Sequence, residues 1–163
     1  MKSMLLVSVT LVGALASHAS LAQVQTERTV SLALANEMVT AAVEACSAKN
    51  YNVVATVVDR SGYVKATQRA DNARPHAIDI AQRKATTASM LGYETNRLAE
   101  NIQKGVTPAS ILNTPGFTSL LGGFPIKAGN EVIGGIGVSG APGGHLDTEC
   151  VDAALKRVQA KLN

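Results

Sequence analysis

The alternation of apolar and polar positions predicts four helices and four strands in the order α-β-β-α-α-β-β-α. Helical spacing and helix-ending signals mark the segments 30–49, 96–104 and 148–162, and a further helix between Pro75 and Gly92. Branched residues around short turns predict two hairpins, over residues 53–69 and 124–139. Hairpins imply an antiparallel sheet, so we expect an α+β domain with helices layered on that sheet.

The first and last helices are expected to pack antiparallel on one face of the sheet. In that arrangement Cys46, near the end of the first helix, meets Cys150, near the start of the last. A disulfide would suit an oxidising compartment. Two buried free thiols are an equally good interpretation of the residues alone.

The stretch GGIGVSGAPGG at 134–144 contains the G-x-G-x-x-G spacing of a dinucleotide-binding loop. Its glycines, however, fall within the predicted strand, and no acid follows roughly 20 residues later. Alternation instead places Gly135, Gly137 and Ser139 on one nearly bare face of the strand. That face favours close approach of the alanine-rich second helix, with a flat ligand or a neighbouring subunit as the alternative.

The first 22 residues have the pattern of a signal peptide, with Lys2, an apolar run of about a dozen residues and small residues before Gln23. Cleavage is expected after Ala22, or after Ala19 as the second choice, leaving 23–163 as one domain. The apolar run is shorter than the roughly 20 residues of a spanning helix. These features predict a periplasmic or secreted protein.

Composition excludes several function classes. Without Lys2, fourteen basic residues face twelve acidic ones, and the chain has no Trp and no basic cluster, which argues against nucleic acid binding. No Ser/His/Asp arrangement, His-x-x-x-His or Cys-x-x-Cys spacing indicates a catalytic or metal centre.

Two blocks of the sequence resemble the GlcG/HbpS family. The first combines an Asp-x-x-Gly turn, Arg-x-Asp-x-Ala and a helix with Lys-Ala-x-Thr-Ala, although Ala70 stands where Met is common. The second combines Gly-Gly-x-Pro-Ile, Ile-Gly-Val-Ser-Gly and an acid before the last helix. The matching positions are Asp59, Gly62, Arg69, Asp71, Ala73, Lys84, Ala85, Thr87, Ala88, Gly122, Gly123, Pro125, Ile126, Gly135, Ile136, Gly137, Val138, Ser139, Gly140 and Asp147.

The resemblance implies a profilin-like α/β/α fold, assembly into homo-oligomers that are often octamers, and tetrapyrrole binding. Some members bind haem, and the related C-terminal domain of PduO proteins binds haem or corrinoid. The family is also labelled haem-degrading, and some members sit in glycolate-utilisation operons without a defined activity. We expect an exported protein that sequesters or carries haem, with corrinoid less favoured. The alternative is an accessory protein or enzyme acting on a small organic acid in a glycolate-type or aromatic catabolic pathway.

The candidate haem site centres on the stretch Arg74-Pro75-His76 at the predicted start of the second helix. His76 is the candidate axial ligand of the iron. Arg74 and the helix N-terminus would hold a propionate. A surface histidine beside a solvated arginine is the alternative interpretation.

Other side chains complete the expected pocket. The cofactor contacts are expected to include Thr95, Ile78, Phe117 and Phe124, with the long segment 105–121 as a cover. His145, Tyr63 and Tyr93 are weaker ligand candidates. Thr95 and Asp147 are also the expected N-caps of the third and last helices.

Overall fold

A computed structural model describes residues 25–162, and the expected signal peptide, residues 1–22, lies outside this range. In the described part the helices and strands follow the predicted order, so the α+β expectation is confirmed. The elements are α1 Leu32–Ser47, β1 Val54–Asp59, β2 Val64–Arg69, α2 Ala77–Leu91, α3 Thr95–Gln103, β3 Gly123–Ala128, β4 Glu131–Ser139 and α4 Gly144–Val158. Short 3-10 turns occupy Ala109–Asn113 and Gln159–Lys161. Within residues 25–162, no helix is long and apolar enough to cross a membrane.

The strands form one antiparallel sheet in the order β2-β1-β4-β3. The two predicted hairpins are therefore joined through their inner strands, with Thr56 of β1 opposite Gly137 of β4. β1 and β4 lie at the centre of the sheet, and β2 and β3 form its edges.

One face of the sheet is covered by α1 and α4. Their buried side chains, Met38 of α1 and Val151 of α4 among them, pack with Ile136 of β4 in the main core. Cys46 and Cys150 are linked by a disulfide, with their Cα atoms 5.5 Å apart. Of the two interpretations of the cysteines, the structure therefore contains the disulfide.

The opposite face is covered by α2, which lies directly on the glycines of β4. A Cβ atom added at Gly135 would lie 2.2 Å from the carbonyl oxygen of Ala85, and one at Gly137 would lie 2.2 Å from that of Ala81. No side chain fits at such distances, so only glycine permits this approach. Close packing of the alanine-rich helix is thus confirmed as the reason for the bare strand face.

The two expected N-caps are wrong. The N-cap of α3 is Glu94, and the buried Thr95 side chain instead accepts a hydrogen bond from Gly123 N at 3.1 Å. α4 begins earlier than predicted, after an N-cap at Gly143, which places Asp147 inside its first turn. Both side chains are used for contacts with distant parts of the chain, which the local capping pattern does not reveal.

Candidate functional site

A cleft of about 400 Å³ lies between the first turns of α2 and α4. We call it the histidine cleft because His76 lines it from the start of α2 and His145 lines it from the start of α4. The other lining residues are Arg74, Ala77, Ile80, Lys84, Leu120, Leu121, Ser139, Gly140, Ala141, Pro142, Gly143, Gly144 and Asp147.

One arginine and two imidazole side chains lie at the mouth of the histidine cleft. Arg74, His76 and His145 are exposed there. Neither α2 nor α4 has a side-chain hydrogen bond capping its N-terminus in the described residues, and the N-terminal end of a helix carries partial positive charge. Two helix ends and an arginine side chain therefore favour an anionic group at this position.

An ion pair between Lys84 and Asp147 is buried beside the cleft, with side chains only 3% and 5% exposed. Lys84 Nζ donates to Asp147 Oδ2 at 2.8 Å and to the carbonyl oxygen of Val138 at 2.7 Å. The other carboxylate oxygen, Asp147 Oδ1, accepts a hydrogen bond from Ala141 N at 3.0 Å. Both buried charges are therefore hydrogen-bonded to each other and to the backbone.

Burial dominates the titration of this pair. It lowers the pKa of Lys84 and raises the pKa of Asp147, because the charged form of each group loses its hydration. The attraction and hydrogen bond between the two side chains oppose both pKa shifts. The sequence offered no local signal for this contact, since the partners are separated by 63 positions.

His145 lies nearer the candidate site than its sequence context suggested. The pattern placed it in a loop before the last helix, whereas α4 begins at Gly144 and includes it in the first turn. It therefore lines the same cleft as Arg74 and His76. The structure brings these three side chains together from segments about seventy positions apart.

The remaining expected contacts are dispersed over other parts of the described structure. Phe124 and Tyr93 line a second cleft of about 420 Å³, together with Arg97, whose guanidinium lies 5.2 Å from the Tyr93 ring centroid. Thr95 is fully buried, and Phe117 is half-buried and outside the lining of both clefts. Ile78 and Tyr63 are exposed, the latter by 74%.

The long segment 105–121 reaches the histidine cleft only at its end. Leu120 and Leu121 line the cleft and are partly exposed, whereas Thr118 N donates to Thr87 Oγ1 of α2 at 2.9 Å. Its expected role as a cover over a ligand stays a prediction.

The fold and the cleft define a small α+β protein with one sheet between two helical layers and a cleft lined by an arginine and two histidines at the N-terminal ends of two helices. Residues 30–156 match the family described as "Haem degrading protein HbpS-like", and the chain belongs to this family. The resemblance seen in the sequence is thereby confirmed.

Individual relatives agree with this assignment. Protein GlcG of Escherichia coli strain K12 is 33% identical over 115 residues, which are 71% of this chain and 84% of GlcG. The crystal structure of HbpS superposes with a TM-score of 0.79 at 33% identity, covering 83% of this chain and 94% of that chain. A crystal structure of a PduOC–heme complex has a TM-score of 0.72 at 25% identity, covering 78% and 94% of the two chains. The similarity confirms the expected fold.

Proposed function

We propose that the protein binds haem in the histidine cleft and sequesters or carries it. The observation that carries this proposal is the convergence of Arg74, His76 and His145 on one cleft between two helix N-termini. The family description names haem, and the similar PduOC structure is a haem complex.

The side chains of the cleft fit the chemistry of haem. Haem iron needs only one or two axial ligands from the protein, and imidazole is a common one. His76 is the proposed ligand, and Arg74 with the helix ends would hold a propionate. Apolar contact with the ring would come from Ile80, Leu120 and Leu121, in place of the dispersed Phe117 and Phe124.

The size of the cleft limits how much of the ligand one subunit can cover. Its volume of about 400 Å³ lies near the lower end of the roughly 300–1,000 Å³ of small-molecule sites. Part of a macrocycle would extend beyond the cleft. This agrees with the proposed assembly into homo-oligomers, in which a neighbouring subunit would cover the exposed part.

Absorption spectroscopy of residues 23–163 with hemin tests the proposal. We expect a Soret band that saturates with added hemin, and loss or a shift of that band in His76→Ala. His145→Ala in parallel shows which imidazole the band depends on. A band unchanged in His76→Ala would refute that ligand assignment, and no band in the wild type would refute haem binding. A corrinoid titrated in the same way measures the less favoured ligand.

Carriage differs from degradation in the fate of bound haem. We expect the Soret band of the complex to persist in the presence of oxygen and a reductant at least as long as that of free hemin. Faster bleaching with a linear tetrapyrrole product would show turnover and contradict the carrier role.

The alternative, a protein acting on a small organic acid, draws on the same cleft and on the similarity to GlcG. Arg74 would bind the carboxylate, and His76 would act as acid or base. Turnover of a hydroxy- or oxo-acid by tetrapyrrole-free protein, lost in Arg74→Ala, would favour this function over haem binding.

Export is part of the proposal. The disulfide supports an oxidising compartment, because such bonds are rare in the reducing cytosol. Mass spectrometry of protein recovered from the periplasm or medium should show an N-terminus at Gln23, or at Ser20 for the second cleavage choice. An intact N-terminus on cytosolic protein would contradict export.

A further inference from the structure

The buried Lys84–Asp147 pair forms hydrogen bonds with two backbone groups beside the histidine cleft. Lys84 lies on α2, which begins directly after His76, and it donates to the carbonyl oxygen of Val138 near the end of β4. Asp147 lies on the first turn of α4, two residues after His145. Its Oδ1 atom accepts from Ala141 N, which belongs to the turn leading into α4.

The surrounding backbone is shaped to accommodate the pair. A Cβ atom at Gly122 would lie 2.8 Å from Asp147 Cβ and 3.2 Å from Lys84 Nζ. The carbonyl oxygen of Gly122 also accepts from Val138 N at 2.9 Å, so the segment before β3 is held against the same group. The pair is therefore packed closely against the backbone at Gly122.

Stability alone is a weak explanation for such a pair. Removing two charges from water opposes the attraction between them, and well-packed apolar residues are often equally stabilising at such positions. α4 is already anchored by its apolar stripe and by the disulfide at Cys150. The pair therefore adds directional bonds where the fold has other sources of stability.

We propose that Lys84 and Asp147 are positioning residues of the histidine cleft. Their hydrogen bonds hold the turn 140–143 and His145 at a defined place relative to Arg74 and His76. Where the bound group is haem, this inference rests on the proposed function. The order of the turn itself can be measured without any ligand.

A charge-free double variant separates positioning from stability. Asp147→Leu alone leaves the Lys84 ammonium buried without its counter-charge and should strongly destabilise the fold. Combining Lys84→Met with Asp147→Leu removes both charges and should restore a Tm near that of the wild type. The matched control is Arg157→Met with Glu44→Gln, an exposed ion pair at the other end of α4 with an Nη1 to Oε2 distance of 2.7 Å.

The ligand-free readout is amide hydrogen exchange at Leu146, whose N–H donates to the carbonyl oxygen of Gly143 at 2.9 Å in the first turn of α4. In the Lys84→Met/Asp147→Leu variant we expect its protection factor to fall about tenfold, as for a lost hydrogen bond to a charged group. Protection of Val57 in the central strand should not change, and the control variant should resemble the wild type. Unchanged protection of Leu146 would overturn the proposal.

The haem readout uses the same proteins. We expect the double variant to bind hemin about tenfold more weakly than the wild type, although its Tm is unchanged. If the pair only stabilised the fold, a variant with the wild-type Tm would also bind hemin with the wild-type affinity. Unchanged affinity despite a loosened turn would also overturn the positioning role. A wild type that binds no haem refutes the proposed function, and the exchange experiment then decides the positioning role by itself.

If Lys84→Met/Asp147→Leu does not fold, Lys84→Met/Asp147→Asn and Lys84→Met/Asp147→Ala supply the same comparison. Neither variant leaves a buried charge without its partner, but only asparagine retains an oxygen that can accept a hydrogen bond from Ala141 N. Positioning predicts greater Leu146 protection in the asparagine variant than in the alanine variant. Equal protection in the two variants would overturn it.

Discussion

The two faces of the sheet are built by different physical means. The α1–α4 face joins branched and long apolar side chains, such as Met38 and Val151, in the main core. The α2 face instead places alanine backbone directly on glycine backbone, and it buries the Lys84–Asp147 pair. The histidine cleft lies at the end of this second face, and the first turns of α2 and α4 both line it.

The difference shows where the fold gains stability and where it gains a site. Each fully buried large apolar side chain contributes about 1.5–3 kcal/mol, so the α1–α4 face provides most of the hydrophobic stabilisation. The alanine methyl groups on α2 contribute less hydrophobic stabilisation, but close backbone contacts and buried hydrogen bonds restrict the position of that helix. A binding site between two helices depends more on their fixed relative position than on additional stability.

Removing the disulfide is expected to have the largest effect, and it acts on the α1–α4 face. Cys46→Ala with Cys150→Ala should lower the free energy of unfolding by about 4–5 kcal/mol, by the loop-entropy argument for a bridge spanning 104 positions. Urea unfolding under oxidising conditions measures it. A reductant should lower the free energy of unfolding of the wild type to that of the variant and leave the variant unchanged. Equal stability of the two proteins under oxidising conditions would contradict the prediction.

Filling the glycine face is expected to have the next largest effect. Gly137→Ala places a methyl group 2.2 Å from the carbonyl oxygen of Ala81 and should cost about 2–3 kcal/mol, because α2 must move away. The control is Gly129→Ala, which has nothing within 4 Å but a φ of +62° and should cost about 1 kcal/mol. Chemical denaturation compares the two. Equal losses would mean that α2 is not packed against β4 as described.

The buried ion pair should make stability depend on pH. The raised pKa of Asp147 means that this carboxyl group holds its proton more tightly in the folded state than in the unfolded state. Its contribution to the free energy of unfolding therefore falls as pH rises above about 4, the usual pKa of an aspartate in the unfolded chain. The lowered pKa of Lys84 means that the unfolded state holds its proton more tightly, so stability rises again with pH as pH approaches about 10.

Urea unfolding from pH 3 to pH 10 checks this prediction. Relative to Lys84→Met/Asp147→Leu, the wild type should lose stability on leaving the acidic range and regain it at alkaline pH. Parallel pH profiles for the two proteins would contradict the stated pKa directions.

The smallest effect is expected at the surface of the α1–α4 face. Arg157→Met breaks the exposed ion pair with Glu44, and it should change the free energy of unfolding by less than about 1 kcal/mol. The change should shrink further in high salt, because exposed charges are screened. A larger loss would show that ion pairs, and not the apolar core, join α1 to α4.

Several features of the structure could be read in the sequence because their causes are local or periodic. The helical stripe that includes Val151 and Val158 predicted α4, although the start of that helix was placed too late. Strand alternation at 132–139 predicted a bare face for close helix packing, and the distances from Gly135 and Gly137 to the backbone of α2 agree with it. Cys46 and Cys150 were placed within reach by the antiparallel arrangement of the terminal helices, which the structure contains.

The site depended more on tertiary structure. Local sequence identified Arg74 and His76 at a helix start, but it ranked His145 low and grouped Thr95, Phe117 and Phe124 into a pocket from which the fold separates them. It also interpreted Asp147 as a cap, because capping patterns are local and the partner Lys84 lies on another helix.

What the sequence determined by itself was the order of elements, the two-faced character of β4 and the family, since each is encoded in periodic spacing or contiguous motifs. What only the tertiary structure decided was which charged and imidazole side chains share one cleft. That choice depends on contacts between residues far apart in the sequence, such as those of α2 with Gly135 and Gly137 and the ion pair that joins Lys84 of α2 to Asp147 of α4, 63 positions away.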